Sequence, residues 1–160
     1  AAQQDSTAIK LNAFFTSTSQ SGMMAVRIGE LASFSTNQDI KDIGQQLALV
    51  NSGMLDELRA LATTKHLNLQ DSLDERLNQK LDELNAKKGA EFDKAIVRLM
   101  VSEQRRISSY MRKAQDLNDA DIDSFAQRNK KAIREVSDKL RDLRKKTNPE
   151  RGKGDDEQAA

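Results

Sequence analysis

The sequence predicts an all-α protein, a bundle of four long helices with a shorter fifth helix carried in one long connection. Three observations predict it. In 160 residues, charged side chains make up 32% and hydrophobic ones 37%, with 4% aromatic and a single proline, a balance that favours long helices with a wet outer face. Apolar residues recur at the three-four spacing that gathers side chains onto one helical face, most clearly from Ala90 to Leu117 at Phe92, Ile96, Leu99, Met100, Ile107, Tyr110, Met111, Ala114 and Leu117. The breaks between such segments are short, except for more than twenty residues between His66 and Ala90.

Taken in order, residues 1–19 read as an N-terminal segment with a short helix through Ile9, Leu11, Phe14 and Phe15, closed by a polar bend at Thr16-Ser17-Thr18-Ser19. A second stripe of Met23, Val26, Glu30, Leu31 and Phe34 predicts a helix from Gln20 to Ser35, and Asn37 is a cap for the next. That helix runs from Gln38 to Lys65 on Ile40, Ile43, Leu47, Val50, Met54, Leu58 and Leu61, with Asn51 beside the stripe and His66 at its end. Ser72 caps a shorter helix on Leu73, Leu77, Leu81 and Leu84, which stops at Lys87-Lys88-Gly89. After the Ala90 helix, Asn118 and Asp119 form a break. The last helix follows on Ile122, Phe125, Ile133, Val136, Leu140 and Leu143, interrupted by Asn129. Residues 20–147 thus make the bundle, and 148–160, with Pro149 and two glycines, read as a disordered tail. A helix-bearing crossover of this length suits parallel neighbours, the wiring of ferritin-like bundles; short loops throughout would give an up-and-down bundle. Asp39-Ile40 echoes Asp121-Ile122, from duplication or from two helix starts with the same cap chemistry.

Charge excludes a global field toward nucleic acid or anionic membrane, since 26 basic residues face 25 acidic ones. The absence of cysteine excludes disulfides, thiolate chemistry and cysteine-based zinc sites. Uninterrupted apolar runs such as Leu47 to Val50 are far short of a transmembrane span. The opening Ala1-Ala2-Gln3-Gln4-Asp5 resembles the end left by signal-peptide removal, which sets the expectation of an exported protein.

One position in the Ala90 stripe departs from the pattern. Where an apolar residue is due, the chain has Glu103 and then Gln104, and a buried carboxylate must be paired, protonated or bound to a cation. Glu30 and Asn51 fall on the stripes of other helices, and with Asn129 they complete an expected buried polar cluster of Glu30, Asn51, Glu103, Gln104 and Asn129. Two roles are open to it. Glu30, Glu103 and Asn51 with waters would hold one hard cation; alternatively the groups bond to each other and to Arg27 or Arg105, fixing helix register. A carboxylate-bridged di-metal centre needs Glu-x-x-His pairs, and the one histidine, His66, belongs to none, so neither catalytic residues nor a cofactor are implied. The five methionines read as core filler. From Arg128 to Lys146 there are nine basic and three acidic residues, and Lys131, Arg134, Arg141 and Lys145 form a candidate polyanion patch. Glu135 with Lys139 and Asp142 with Lys146 offer ordinary intrahelical pairing, and no aromatic residues are interleaved to stack on bases.

The segments Gly22-Met23-Met24-Ala25-Val26-Arg27-Ile28-Gly29-Glu30-Leu31-Ala32, Asp39 to Gln46, Asp56 to Ala62, and Phe92-Asp93-Lys94-Ala95 with Met100-Val101 resemble the bacterial domain-of-unknown-function family numbered four-one-four-two. The likeness runs from Ala13 to Leu143. This family is labelled as outer membrane proteins, and the resemblance implies a ferritin-like bundle in the bacterial envelope. Its members carry Asp-Asp-His where this chain has Leu49-Val50-Asn51, and His where it has Gln104, so this member lacks both imidazoles. The expected function is therefore a non-enzymatic periplasmic or outer-membrane-associated bundle acting through an unidentified protein partner or a surface contact, in stress or surface assembly. Two alternatives stand beside it: a metal-binding or redox bundle using Glu30 and Glu103, and an adaptor whose basic last helix binds a polyanion.

Overall fold

A computed structural model describes residues 2–147, with side-chain surroundings from residue 6 onward; the expected tail at 148–160 lies outside the described residues. The described chain is helical with short connections: α1 (Ala2–Leu31), α2 (Gln38–Thr64), α3 (Glu75–Asn85), α4 (Gly89–Lys113) and α5 (Ala120–Thr147). Single 3-10 turns follow α1 at Ala32–Phe34 and α4 at Ala114–Leu117.

The bend expected at Thr16 to Ser19 does not occur. α1 runs unbroken for 30 residues, about 45 Å at 1.5 Å per residue. Thr18 (0% exposed), Ser19 (2%) and Ser21 (6%) are buried rather than looped out, so packing overrides their weak helix preference. Gln20 ties the crossover to α1: its Nε2 donates to the Ser72 carbonyl at 2.9 Å and its Oε1 accepts from the Asp74 amide at 3.0 Å.

The caps follow side-chain chemistry. Asn37 accepts from the Ile40 amide at 3.2 Å, as expected, and Asp119 does the same for Ile122 at 3.1 Å. The echo between Asp39-Ile40 and Asp121-Ile122 therefore marks two helix starts with the same cap geometry. Asp74, not Ser72, caps α3, accepting from the Leu77 amide at 2.9 Å. Gly89, expected to end α3, instead opens α4 with φ of 58°. His66 lies beyond α2 in the left-handed region, φ 58°, with its amide on the Thr63 carbonyl (3.1 Å) and the Leu67 amide on the Ala62 carbonyl (2.8 Å), a Schellman closure.

Bonds between ends fix the direction of each helix. Ser35, after α1, donates to Asp93 near the start of α4 at 2.7 Å, and Lys146 at the end of α5 lies 4.0 Å from Asp39 at the start of α2. At the opposite end Lys65, following α2, pairs with Asp119 at the start of α5 at 2.5 Å. The order is thus up, down, crossover, down, up. α1 packs on α2 and α4, α5 packs on the same two, and the parallel helices α2 and α4 lie on the diagonal rather than as the neighbours expected of the crossover.

α1 and α2 approach closely where both carry glycine. A Cβ at Gly29 would lie 2.4 Å from the Gly44 carbonyl oxygen, and one at Gly44 2.3 Å from the Ala32 Cβ. Far from that crossing, Phe14 meets Phe15 and Phe125 edge-on at centroid distances of 5.5 and 6.4 Å, closing the end of the core near α5's start.

Candidate functional site

The middle of the bundle holds a polar group that crosses its diagonal. On α2, Asn51 (0% exposed) is surrounded by Leu47, Met54 and Leu55; on α4, Gln104 (1%) lies between Met100 and Ile107. Asn51 Nδ2 donates to the Leu47 carbonyl at 2.9 Å and to Gln104 Oε1 at 3.3 Å. Gln104 Nε2 in turn donates to the Ile133 carbonyl of α5 at 3.2 Å. Three helices are thereby joined through two primary amides, and such a relay fixes their relative height because a slip of either chain leaves buried donors unpaired. Asn51 Oδ1 has no partner among the described residues.

Glu103, one residue before Gln104, is rotated by about 100° and so faces a different neighbour. It is 1% exposed and lies toward α1 and α3, with the Ser21 hydroxyl and the Lys80 ammonium in its surroundings. Arg106 of the same helix donates from Nη1 to Glu103 Oε1 at 2.5 Å, so the pair is intrahelical and the partner is neither Arg27 nor Arg105. Burial raises the Glu103 carboxyl above the ordinary glutamate range, and Arg106, Ser21 and Lys80 offset that only in part.

Glu30 does not join this cluster. It is exposed, because the buried face of α1 and of the turn after it runs through Phe15, Thr18, Ser19, Gly22, Ala25, Ile28, Gly29 and Ala32. Phe34, expected on the same stripe as Glu30, is 76% exposed. The contact face mixes Phe14, Phe15, Met23, Met24 and Ile28 with the small residues Thr18, Ser19, Ser21, Gly22, Ala25 and Gly29, which allow close helix approach but carry little hydrophobic signal, so the apolar pattern places the last turns of the stripe out of rotation. Asn129 (9% exposed) is buried as expected but belongs to the α2–α5 edge: its Nδ2 donates to the Phe125 carbonyl at 2.9 Å and to Glu57 Oε2 at 3.3 Å, where Arg128 also donates at 3.2 Å. With Glu30 outside, no group of three His, Cys, Asp or Glu side chains converges among the described residues.

The basic residues expected to form a patch, Lys131, Arg134, Arg141 and Lys145, are all exposed on α5. The intrahelical pairs expected beside them give way to contacts with α2. Lys139 Nζ bonds to Gln46 Oε1 at 2.9 Å rather than to Glu135, and Lys146 faces Asp39 rather than Asp142. Sequence reasoning missed a cleft of about 510 Å³ between the α1–α2 face and the crossover, lined by Arg27, Asp56, Arg59 and Asp71 among others. It depends on where the crossover is pinned by Gln20, and no periodicity encodes that.

Compared with known families, residues 1–143 match the profile of a domain of unknown function, DUF4142. The chain belongs to this family. No curated protein and no solved structure matches it. In this DUF4142 member the side chains of Asn51 and Gln104 meet across the core. No helix among the described residues is long and apolar enough to cross a membrane.

Proposed function

We propose that this DUF4142 protein is a non-enzymatic, ferritin-like bundle of the bacterial envelope, periplasmic or attached to the outer membrane, which acts through contacts of its surface with a protein partner. One observation carries the reading: the amide relay from Asn51 through Gln104 to the Ile133 carbonyl occupies the centre of the bundle with groups that bond to each other and to backbone. Primary amides are poor ligands for transition metals compared with imidazole and carboxylate, and the Gln104 oxygen already accepts from Asn51. The interior therefore works as a register lock, leaving recognition to the charged outer faces. The envelope assignment is supported by the resemblance to a family labelled as outer membrane proteins.

The competing metal reading used Glu30, Glu103 and Asn51, and the exposure of Glu30 removes one of its two carboxylates from the interior. Elemental analysis of protein purified without chelators tests the choice. Metal well below one equivalent per chain is expected; one equivalent that disappears in Glu103→Gln would replace the register lock with a metal site. Fractionation of the source cells tests the compartment, with the chain expected in the periplasmic or outer-membrane fraction. Recovery in the cytoplasm alone would remove the envelope reading.

A further inference from the structure

The outer side of the α4–α5 contact carries a line of cations that the bundle itself does not use. On α4, Arg98, Arg105 and Arg112 recur every seven residues, with Lys94 one turn before them, and all four are exposed. A seven-residue step turns a helix by only about 20°, so the four stand in one line about 27 Å long. The only carboxylate between Lys94 and Arg112 is Glu103, which is buried toward α1 and α3. Arg105 shares the wall of a small cleft with Arg141 of α5, which places this line beside that helix. Because α4 and α5 run antiparallel, Arg134, seven residues before Arg141, stands level with Arg112, and Lys130 lies one turn further on the same stripe. None of Lys94, Arg98, Arg105, Arg112, Lys130 and Arg134 forms a side-chain hydrogen bond or ion pair among the described residues. Toward the end of α5 the charge is compensated, since Arg144 and Lys145 have partners and Arg141 stands 3.8 Å from Asp138. A face kept only for solubility mixes both signs, and like charges at i and i+4, as in Lys94 and Arg98, oppose the helix.

We infer that this face docks the protein electrostatically onto an anionic lipid surface. Free cations on two antiparallel rods define a plane rather than a pocket, and a plane of one sign of charge matches a layer of anionic headgroups, where each added cation strengthens the attachment. The large hydrophobic side chains exposed among the described residues, Ile9, Phe34 and Leu49, belong to α1, the turn after it and α2. The α4–α5 face therefore has nothing to insert, and its contact with lipid is peripheral and reversed by salt. No aromatic residue is interleaved with these cations to stack on a base, which favours a lipid surface over a single-stranded nucleic acid. The inference goes beyond the protein partner proposed above and depends neither on that partner nor on the compartment, because it rests on side chains of this chain alone.

The test is co-sedimentation of the full chain with vesicles of phosphatidylcholine, alone or with rising proportions of phosphatidylglycerol, at low salt. Wild-type protein is expected to stay in solution with phosphatidylcholine alone, to bind increasingly as phosphatidylglycerol is added, and to be released when sodium chloride is raised. Arg105→Gln, in the middle of the line, should weaken binding about fivefold, and Arg98→Gln, Arg105→Gln and Arg112→Gln together by at least about tenfold. All three side chains are exposed, so the melting temperature should not change. Arg27→Gln, Arg59→Gln and Arg76→Gln together remove the same charge from exposed positions on α1, α2 and α3, and should leave binding within about twofold of wild type. No binding to phosphatidylglycerol vesicles at low salt overturns the inference, as does binding that persists in high salt or occurs with phosphatidylcholine alone. Equal losses in the two triple variants would mean that net charge rather than this face is responsible, and would also overturn it. Displacement from the vesicles by a DNA duplex at equal phosphate concentration would assign the face to nucleic acid and refute the lipid reading.

Discussion

Replacing Glu103 by Gln should make the protein more stable at neutral pH, and the gain should vanish in acid. Burial holds the Glu103 carboxyl above its ordinary range, with Arg106, Ser21 and Lys80 pulling the other way. The folded state thus binds this proton more tightly than the unfolded chain. Stability contributed by protonated Glu103 is complete below the ordinary glutamate pKa and is lost as pH rises through the higher folded value. Above that window the wild type carries a buried carboxylate whose partner, Arg106, is 39% exposed and can return to water if the charge is removed. A glutamine keeps an oxygen for Arg106 and adds a donor for Ser21. Exchanging a buried charge for a neutral group of the same shape is neutral to stabilising, and the partial compensation here points to about 1 kcal/mol. For a chain of this size that is roughly 2–4 °C in melting temperature. Urea unfolding of both proteins in steps from pH 4 to pH 8 measures it, with curves expected to meet at the acid end and separate as pH rises. A Glu103→Gln protein that is less stable than wild type at neutral pH, by 1 kcal/mol or more on this scale, would show that the carboxylate is net stabilising and that the reasoning about burial is wrong.

Two glycines of α2 should respond with opposite signs to the same change. Gly44→Ala places a methyl 2.3 Å from the Ala32 Cβ and 2.9 Å from the Gly29 carbonyl oxygen, and should cost about 1–3 kcal/mol by forcing α1 and α2 apart. Gly53→Ala meets nothing within 4 Å and should stabilise by about 0.5–1 kcal/mol through helix propensity, both read by thermal melts. Asp119→Ala removes the α5 cap and the partner of Lys65 together and should cost about 1–3 kcal/mol at neutral pH. Against burial, which pushes it up, the ammonium of Lys65 and then the amides of Ile122 and Asp121 hold the Asp119 carboxyl below its ordinary range. That stability is present above the ordinary aspartate pKa and is lost as pH falls through the lower folded value, so the penalty of the mutation should shrink in strong acid.

The sequence reveals a helix where one face is lined by large side chains and the other by charges. α4 shows this most clearly: Phe92, Ile96, Met100, Ile107 and Met111 are all buried, and the exceptions Glu103 and Gln104 are buried as well. α2 and α5 follow the same logic, and the long stretch before Ala90 gives the crossover. α1 partly hides its face because glycine, alanine, serine and threonine make up about half of its buried residues, and these look like a bend to any reading based on hydrophobicity. That one misreading moved Glu30 from the surface into the expected core and assigned Thr16 to Ser19 to a turn. The Asn51–Gln104 bond was legible only as two polar residues on two stripes, since their meeting depends on α2 and α4 standing on a diagonal at matching heights.

The most direct measurement is a double-mutant cycle on Asn51 and Gln104, followed by urea unfolding of Asn51→Leu, Gln104→Leu and the pair together. If the two amides lock the register by bonding to each other, each single change strands a buried polar partner and should cost about 1–3 kcal/mol, while the double change leaves an apolar core and should cost clearly less than the sum. Strictly additive losses, or single losses within about 0.5 kcal/mol of zero, would contradict the claim that this pair holds the centre of the bundle.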